Sequence, residues 1–155
     1  MRSLVLAGAL AVGLSLLAWG CGSSTDAKQA GTRVVEVIGP HGKLKIRVPP
    51  GKPPKGLVVK DLREGSGPAV ESVKDEIVLN YAGLEYAAGK AFYDSWEQGG
   101  PSRFILQETH PGWERGLIGM KVGGLRELIT PPGLAYHTTT LIYIIEMIRI
   151  RHTGR

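Results

Sequence analysis

The sequence predicts an α+β fold, in which an antiparallel β-sheet carries one short α-helix on one face. Its 22 glycines and 10 prolines favour many turns between short strands over a helical bundle. Several short segments have the apolar pattern of strands, whereas only one segment has helical spacing. With 43% hydrophobic and 21% charged residues, the composition is that of a globular chain.

The first twenty residues, 1–20, have the pattern of a secretory signal peptide. They carry an early arginine and an apolar run that is shorter than a membrane-spanning helix needs. The single cysteine, Cys21, follows Gly20 and resembles the acylated cysteine of bacterial lipoproteins. This resemblance implies cleavage before Cys21 and an exported protein that is lipid-anchored on the outer face of the cell membrane. The alternative is a plain signal peptide with an incidental free thiol, which gives a secreted product.

Residues 21–56 are expected to connect this signal to the main domain. The small polar residues 22–31 predict a flexible tether, and the Pro-rich segment 49–54 predicts a stiff, extended linker.

Between tether and linker, the strand-like runs 33–38 and 43–48 flank the turn sequence GPHG and predict a hairpin. Seven basic residues but only one acid, Glu36, lie between Arg33 and Lys60. This basic surface is either a solvated face or a contact with anionic lipid near the anchor.

Residues 57–150 are predicted to form the compact domain, followed by a short tail, 151–155. A turn at 86–89 would return the chain toward Phe92. The last strand is apolar on both faces, so it is expected at the centre of the sheet. The predicted strands are 57–62, 76–83, 103–106, 124–130 and 140–150.

The one helix is predicted over 111–120. Pro111 suits the first helical position, and Trp113, Leu117 and Met120 form one apolar stripe. Two glycines inside this segment weaken its intrinsic helix preference, so the helix should be short and stabilised by packing.

The sequence contains no motif for a metal site, a catalytic nucleophile, a phosphate-binding loop or a nucleic-acid surface. The four histidines are far apart in sequence and form no HxH or HxxxH pair, so no metal site is expected. Ser95 and Ser102 lack an elbow motif, and no glycine-rich run has the spacing of a phosphate loop. The net charge of +5 comes without a block of like charges, so we expect no nucleic-acid partner. No cofactor is expected either.

Aromatic residues supply the remaining candidate site. They make up 6% of the chain, yet three of them fall in 92-FYDSW-96, around Asp94. Either the rings fill the core, or they line an apolar concave site with a few polar tips. The number of tyrosines favours the site, because each hydroxyl needs a partner. The set consists of Tyr81, Phe92, Tyr93, Trp96, Phe104, Trp113, Tyr136 and Tyr143.

Four segments resemble the FKBP-type peptidyl-prolyl isomerases: IVLNYAGLEYAAGKAFYDSW (77–96), GWERGLIGMKVGGLREL (112–128), LAY (134–136) and LIYIIEMI (141–148). The resemblance implies a curved antiparallel sheet wrapped on one short helix. It also implies an enzyme that accelerates cis/trans rotation about X-Pro bonds, here in exported or envelope polypeptides. The alternative is a non-catalytic or weakly catalytic module that binds proline-containing chains as a chaperone. We expect a monomer.

The resemblance also implies roles for single residues. Trp113 forms the floor beneath the proline ring, while the Tyr136 hydroxyl and the backbone N–H near His110 hold the carbonyls of the substrate. The walls of the site are expected to be Tyr81, Phe92 and Tyr143.

The position of one carboxylate leaves two alternatives open. The family places an aspartate directly after the wall phenylalanine, whereas here Tyr93 follows Phe92 and Asp94 comes one place later. Either a β-bulge returns Asp94 to the pocket as a catalytic group, or Tyr93 supplies the polar tip. Thr109 and His110 also occupy the positions where the family usually has two aliphatic residues. The expected substrate-binding residues are Tyr93, Phe104, Thr109 and His110.

Overall fold

The computed structural model describes residues 32–135 and 137–153, and for Ile38 the backbone alone. Within these ranges the chain forms strands β1 (Arg33–Gly39), β2 (Gly42–Val48), β3 (Val58–Arg63), β4 (Glu76–Glu85), β5 (Lys90–Asp94), β6 (Ser102–Ile105), β7 (Leu125–Thr130) and β8 (Leu141–Arg151). The α-helices are α1 (Ser95–Gln98) and α2 (Pro111–Leu117), and single turns of 3₁₀ helix cover Leu106–Glu108 and Pro132–Leu134. The predicted signal peptide, the tether and Cys21 lie outside the described residues.

Six strands form one antiparallel sheet in the order β3-β7-β8-β4-β5, and β6 pairs with the first half of β4 on the edge that β5 also uses. The last strand was expected at the centre, and this is confirmed, because β8 lies between β7 and β4. Its first seven residues are buried, as a strand covered on both faces requires.

Helix α2 packs on one face of the sheet, called here the helix face. Trp113, Leu117 and Met120 join buried side chains of β4, β7 and β8 in one apolar core. Gly116 allows this close approach, because a Cβ at its position would lie only 2.8 Å from Cδ2 of Leu128. A glycine that weakens the helix as an isolated segment therefore serves its packing.

The helix ends at Leu117, so the predicted end at residue 120 is wrong. Ile118 leaves the helical conformation, with ψ of 134°, and Gly119 takes a φ of +77°. The chain then bonds to Val70, whose N–H donates to the Met120 carbonyl at 2.9 Å. Met120 is buried on the expected face, but a β-like pairing and not a helical turn holds it there.

The opposite face of the sheet, called here the hairpin face, is covered by β1 and β2. These strands form an antiparallel hairpin, and Val37, Ile46 and Val48 pack in a second core with side chains of β4, β7 and β8. The sequence suggested that this segment lies outside the compact domain, but it contributes to the core. Polar contacts add to the attachment, because the Tyr86 hydroxyl donates to the Pro49 carbonyl at 3.2 Å.

A partly buried ion pair connects the edge of the sheet to α2. The Arg126 guanidinium donates to both carboxylate oxygens of Asp61, at 2.7 and 3.0 Å, and also to the Gly116 carbonyl at 2.8 Å. The Arg126 side chain is 10% exposed, so its charge depends on these acceptors.

Asp75 is a second buried charge, located in the turn before β4. Burial opposes its ionisation, but N–H donation from Glu71 and Ser72, together with the nearby His152 ring at 3.1 Å, outweighs burial and lowers the pKa of this carboxyl.

No helix in residues 32–135 and 137–153 combines the length and apolarity needed to cross a membrane. The same residues hold no group of three or more His, Cys, Asp or Glu side chains placed to hold a metal ion.

Candidate active site

A cavity of about 270 Å³ opens on the helix face of the sheet. Most of its wall is aromatic, and the rings come from β4, β5, β6, α2 and β8, so it forms only when the whole domain has folded. The lining residues are Tyr81, Phe92, Phe104, Glu108, Thr109, His110, Trp113, His137 and Tyr143.

Trp113 has the position of a floor. Its side chain is 4% exposed, and its ring centroid lies 5.0 Å from that of Tyr81 and 5.4 Å from those of Phe104 and Tyr143. All three contacts are edge-to-face, with interplanar angles of 79–89°. Aromatic rings favour this arrangement, so the three neighbours fix the plane of the indole.

The first turn of α2 is held against the loop that follows β7. His110 is the N-cap, and its Nδ1 lies 3.0 Å from the Leu134 carbonyl and 3.3 Å from the Trp113 nitrogen. Since the Trp113 N–H also donates to the His110 carbonyl at 2.9 Å, we assign the proton to Nδ1, which donates to Leu134. This bond ties the helix that carries the indole to the loop at the cavity rim.

A β-bulge lies in segment 92–94, where the sequence left open whether Tyr93 or Asp94 faces the pocket. Tyr93 pairs with Gly83 and Ala91 pairs with Leu84, so Phe92 is the extra residue of the bulge. The Phe92 ring lies directly over Gly83, where a Cβ would be only 2.4 Å from the ring. Phe92 is 45% exposed and lines the cavity.

Tyr93 and Asp94 are placed differently from Phe92. Tyr93 stacks on Tyr81, with centroids 4.6 Å apart and an interplanar angle of 26°. Asp94 is 5% exposed, and its carboxylate accepts the Trp96 N–H at 3.0 Å as the N-cap of α1, besides other interactions. Of the residues described, neither Tyr93 nor Asp94 is among those that line the cavity, and Tyr93 contacts its wall through Tyr81.

Residues 68–147 match the family model of the FKBP-type peptidyl-prolyl cis-trans isomerases. The chain belongs to this family. It is therefore an FKBP-type isomerase, and the match includes every residue that lines the cavity.

Relatives of this FKBP-type chain include a protein that the similarity covers almost entirely. An FK506-binding protein of Streptomyces anulatus is 35% identical over 121 residues, which cover 70% of this chain and 97% of that protein. The crystal structure of FkpA from Escherichia coli has a TM-score of 0.58 and 33% identity, over 64% of this chain and about half (51%) of FkpA. The crystal structure of AtFKBP13 gives a TM-score of 0.56 and 29% identity, over 64% of this chain and 96% of AtFKBP13. These neighbours confirm the predicted fold class.

Three titratable rings of this FKBP-type cavity, those of Tyr81, His110 and Tyr143, are neutral at pH 7. Burial raises the pKa of Tyr143 to about 12, and burial together with the Tyr93 hydroxyl raises that of Tyr81 to about 12. Burial also lowers the pKa of His110, despite the Leu134 carbonyl that favours its charged form. These three rings thus add hydrogen-bonding groups without adding charge.

The remaining predicted site residues differ in their relation to the cavity. Thr109 lines the cavity, but its hydroxyl donates to the Leu106 carbonyl at 2.7 Å. The predicted Tyr136 lies outside the described residues. Sequence reasoning missed Glu108 and His137, which also line the cavity. The only available signal was adjacency, since Glu108 directly precedes Thr109 and His137 directly follows Tyr136.

Proposed function

We propose that this FKBP-type isomerase binds the prolyl residue of its substrate over Trp113 and accelerates rotation about the preceding bond in exported or envelope polypeptides. The observation that carries the proposal is the indole floor, which is buried and enclosed by three rings at the base of the cavity. The cavity of about 270 Å³ suits a pyrrolidine ring and the peptide bond before it.

The polarity of the amide changes as the bond rotates. A planar peptide bond resists rotation with a barrier of about 18–20 kcal/mol because resonance gives it partial double-bond character. The twisted amide loses this resonance, so its carbonyl is less polar than in either planar form. An apolar, water-poor cavity therefore stabilises the twisted state relative to the planar states, without a nucleophile or a charged group.

Polar groups at the rim are proposed to fix the substrate backbone. The Tyr136 hydroxyl and the backbone N–H near His110 would donate to substrate carbonyls on either side of the rotating bond. We assign Tyr93 and Asp94 positioning roles, because one stacks on the wall residue Tyr81 and the other caps the helix that follows the wall. Phe92, Tyr143 and Phe104 would complete the apolar wall.

The deciding experiment measures cis/trans isomerisation of an X-Pro tetrapeptide by the purified protein. We expect Trp113→Ala to lower kcat/KM by about tenfold or more, which corresponds to about 1.4 kcal/mol of lost transition-state stabilisation. Tyr136→Phe should lower it several-fold. Tyr86→Phe is the matched control, because it removes a tyrosine hydroxyl on the hairpin face and should leave kcat/KM unchanged. Full activity in Trp113→Ala would exclude the indole floor as the site.

Export and anchoring form a separate part of the proposal. We propose that Cys21 is lipidated after cleavage of residues 1–20 and that the acyl chains hold the protein on the outer face of the cell membrane. Cys21→Ser should then move the protein from the membrane fraction to the soluble exported fraction. A variant that stays with the membrane would show that something other than this thiol holds it there.

A further inference from the structure

A second and larger cavity, of about 890 Å³, lies on the hairpin face of the sheet, opposite the aromatic site. The hairpin covers β4, β7 and β8 on this face but leaves β3 uncovered, and a groove remains between β2 and β3. We call it the hairpin groove. It is lined by Val34, Leu44, Lys45, Ile46, Arg47, Pro49, Lys60, Leu62 and Glu127.

Both long walls of the hairpin groove are edges of β-sheets. Among the described strands, β2 pairs with β1 alone and β3 pairs with β7 alone. Gly39 and Gly42 close a two-residue turn and form the first hydrogen-bonded pair of the hairpin. Hydrogen-bonded and non-hydrogen-bonded pairs alternate from there, so Leu44 and Ile46 of β2 bond to β1. The N–H and C=O groups of the residues in between, Lys45 and Arg47 among them, consequently point away from β1.

The side chains of the groove combine an apolar floor with a basic rim. Leu62 in the floor is 39% exposed, while Val34, the register partner of Arg47, is 54% exposed on the outward face of the hairpin. Three basic residues, Lys45, Arg47 and Lys60, line the same groove, with Glu127 as the one acidic lining residue in the part of the chain described.

Two of these charges have local carboxylate neighbours. Glu127 is the register partner of Lys60 and is half-buried, and this burial raises the pKa of its carboxyl. Lys45 lies 3.7 Å from Glu36, but both side chains are largely exposed, and such a pair contributes little. The groove as a whole therefore carries excess positive charge.

We propose that the hairpin groove binds an extended polypeptide segment with alternating apolar and acidic residues, which adds as a third strand beside β2. The free backbone edge supplies the hydrogen bonds of such an addition. Residues of the added strand opposite Leu44 and Ile46 share the inward face and contact Leu62, so they are apolar. Residues opposite Lys45 and Arg47 share the outward face, so they are acidic.

The shape of the site distinguishes this occupant from a lipid surface. A bilayer is flat and has no row of donors and acceptors to pair with a strand edge, whereas the groove is concave and bounded by two such edges. Strand addition also needs no proline, so the site is independent of the prolyl pocket on the other face.

The test uses the proline-free peptide SVEVEVEVS, labelled with fluorescein, and fluorescence anisotropy with the purified protein. We expect saturable binding that weakens as salt is raised, and much weaker binding of the control peptide SVKVKVKVS. The tetrapeptide isomerase rate should be unchanged at saturating SVEVEVEVS, which would separate this site from the aromatic cavity.

A pair of variants at one position separates strand addition from simple charge attraction. Lys45→Ala removes the charge but keeps the outward N–H, so we expect binding to weaken a few-fold. Lys45→Pro removes both, and should weaken binding by about a further tenfold, while proline remains tolerated on an edge strand. If Lys45→Pro unfolds the hairpin, Leu62→Asp provides the second test, since a carboxylate in the floor must abolish binding.

Several results would overturn the proposal. The proposal is wrong if the protein does not bind SVEVEVEVS, or if it binds SVEVEVEVS and SVKVKVKVS equally well. It is also wrong if the folded Lys45→Ala and Lys45→Pro variants bind SVEVEVEVS with equal affinity. Binding of phosphatidylglycerol vesicles that Lys45→Ala weakens, without peptide binding, would identify the groove as a lipid contact. A dimer that Lys45→Pro dissociates, without peptide binding, would identify a second copy of the chain as its occupant.

Discussion

Gly112, the second residue of α2, is packed so tightly that one added methyl group should displace the floor of the active site. A Cβ there would lie 2.4 Å from Cγ2 of Thr130 and 3.0 Å from the Leu134 carbonyl oxygen. Carbon atoms in contact are about 3.5–4.0 Å apart. The distance between the added Cβ and Cγ2 of Thr130 must therefore grow from 2.4 Å by about 1.1–1.6 Å, which requires the start of α2 and the end of β7 to move apart. Trp113 is the next residue and must move with the helix.

The expected effects of Gly112→Ala differ for stability and for catalysis. Overpacking costs about 1–3 kcal/mol, and the better helix preference of alanine offsets up to about 1 kcal/mol. We therefore expect a net loss of about 1–2 kcal/mol in the free energy of unfolding, measured with urea. A catalytic group displaced by about 1 Å can lose about a hundredfold in rate, so kcat/KM for an X-Pro tetrapeptide should fall at least about tenfold.

Two further variants test this reasoning. Gly133→Ala is the matched control, because no atom lies within 4 Å of the added Cβ, and it should change neither quantity. Thr130→Ser removes the clashing Cγ2 but keeps the hydroxyl, so adding it to Gly112→Ala should restore more than half of the lost stability. A Gly112→Ala variant that matches the parent protein in both assays, or a Thr130→Ser substitution that restores nothing, would show that this contact does not position the helix.

Three other predictions concern charged and titratable groups. Asp75→Asn should destabilise the protein by about 1–3 kcal/mol at pH 7, and because the folded-state pKa is lowered, this difference should persist down to about pH 4 and vanish below it in urea titrations. A difference that stays constant to pH 2 would contradict the role of the carboxylate. For His110 the lowered pKa means that the unfolded chain takes up a proton first, so the parent protein should lose thermal stability below about pH 6.5, whereas His110→Leu should not. Equal pH profiles would count against this. Asp61→Ala should cost about 1–3 kcal/mol of unfolding free energy because it leaves Arg126 without its carboxylate, and replacing Arg126 by Met as well should recover part of the loss. A single-variant cost below about 0.5 kcal/mol would show that solvent satisfies the guanidinium.

The sequence predicted the fold class and the strand pattern because hydrophobic periodicity reports burial directly. The central strand β8 is apolar along both faces, and only a position between two other strands buries both. The end of α2 was not predictable in this way, since Met120 satisfies the helical spacing and is buried. What ends the helix is the pairing of this segment with Val70, a residue fifty positions earlier in the chain.

The doubt about residues 92–94 shows a second limit. Spacing alone identified a one-residue offset, but the bulge that absorbs it depends on space across the strand pair. Gly83 supplies that space, and the Phe92 ring occupies it, so Tyr93 pairs with Gly83 and its ring stacks on Tyr81. A glycine on one strand thus determines which aromatic ring on the next strand faces the cavity. The residue pattern along a single strand does not reveal such a contact between strands.

The central position of β8 also has a consequence for how the chain folds. β8 pairs with β4 from Glu76↔Arg151 to Glu85↔Leu141, and β3 pairs with β7 across a comparable separation, so most of the sheet consists of contacts between residues far apart in sequence. Chains with such high contact order fold slowly, because loop closure must precede the stabilising contacts. During synthesis, β3 to β7 emerge before the strand that joins the two halves of the sheet. The nascent chain therefore remains open, with its future core exposed, until β8 is made.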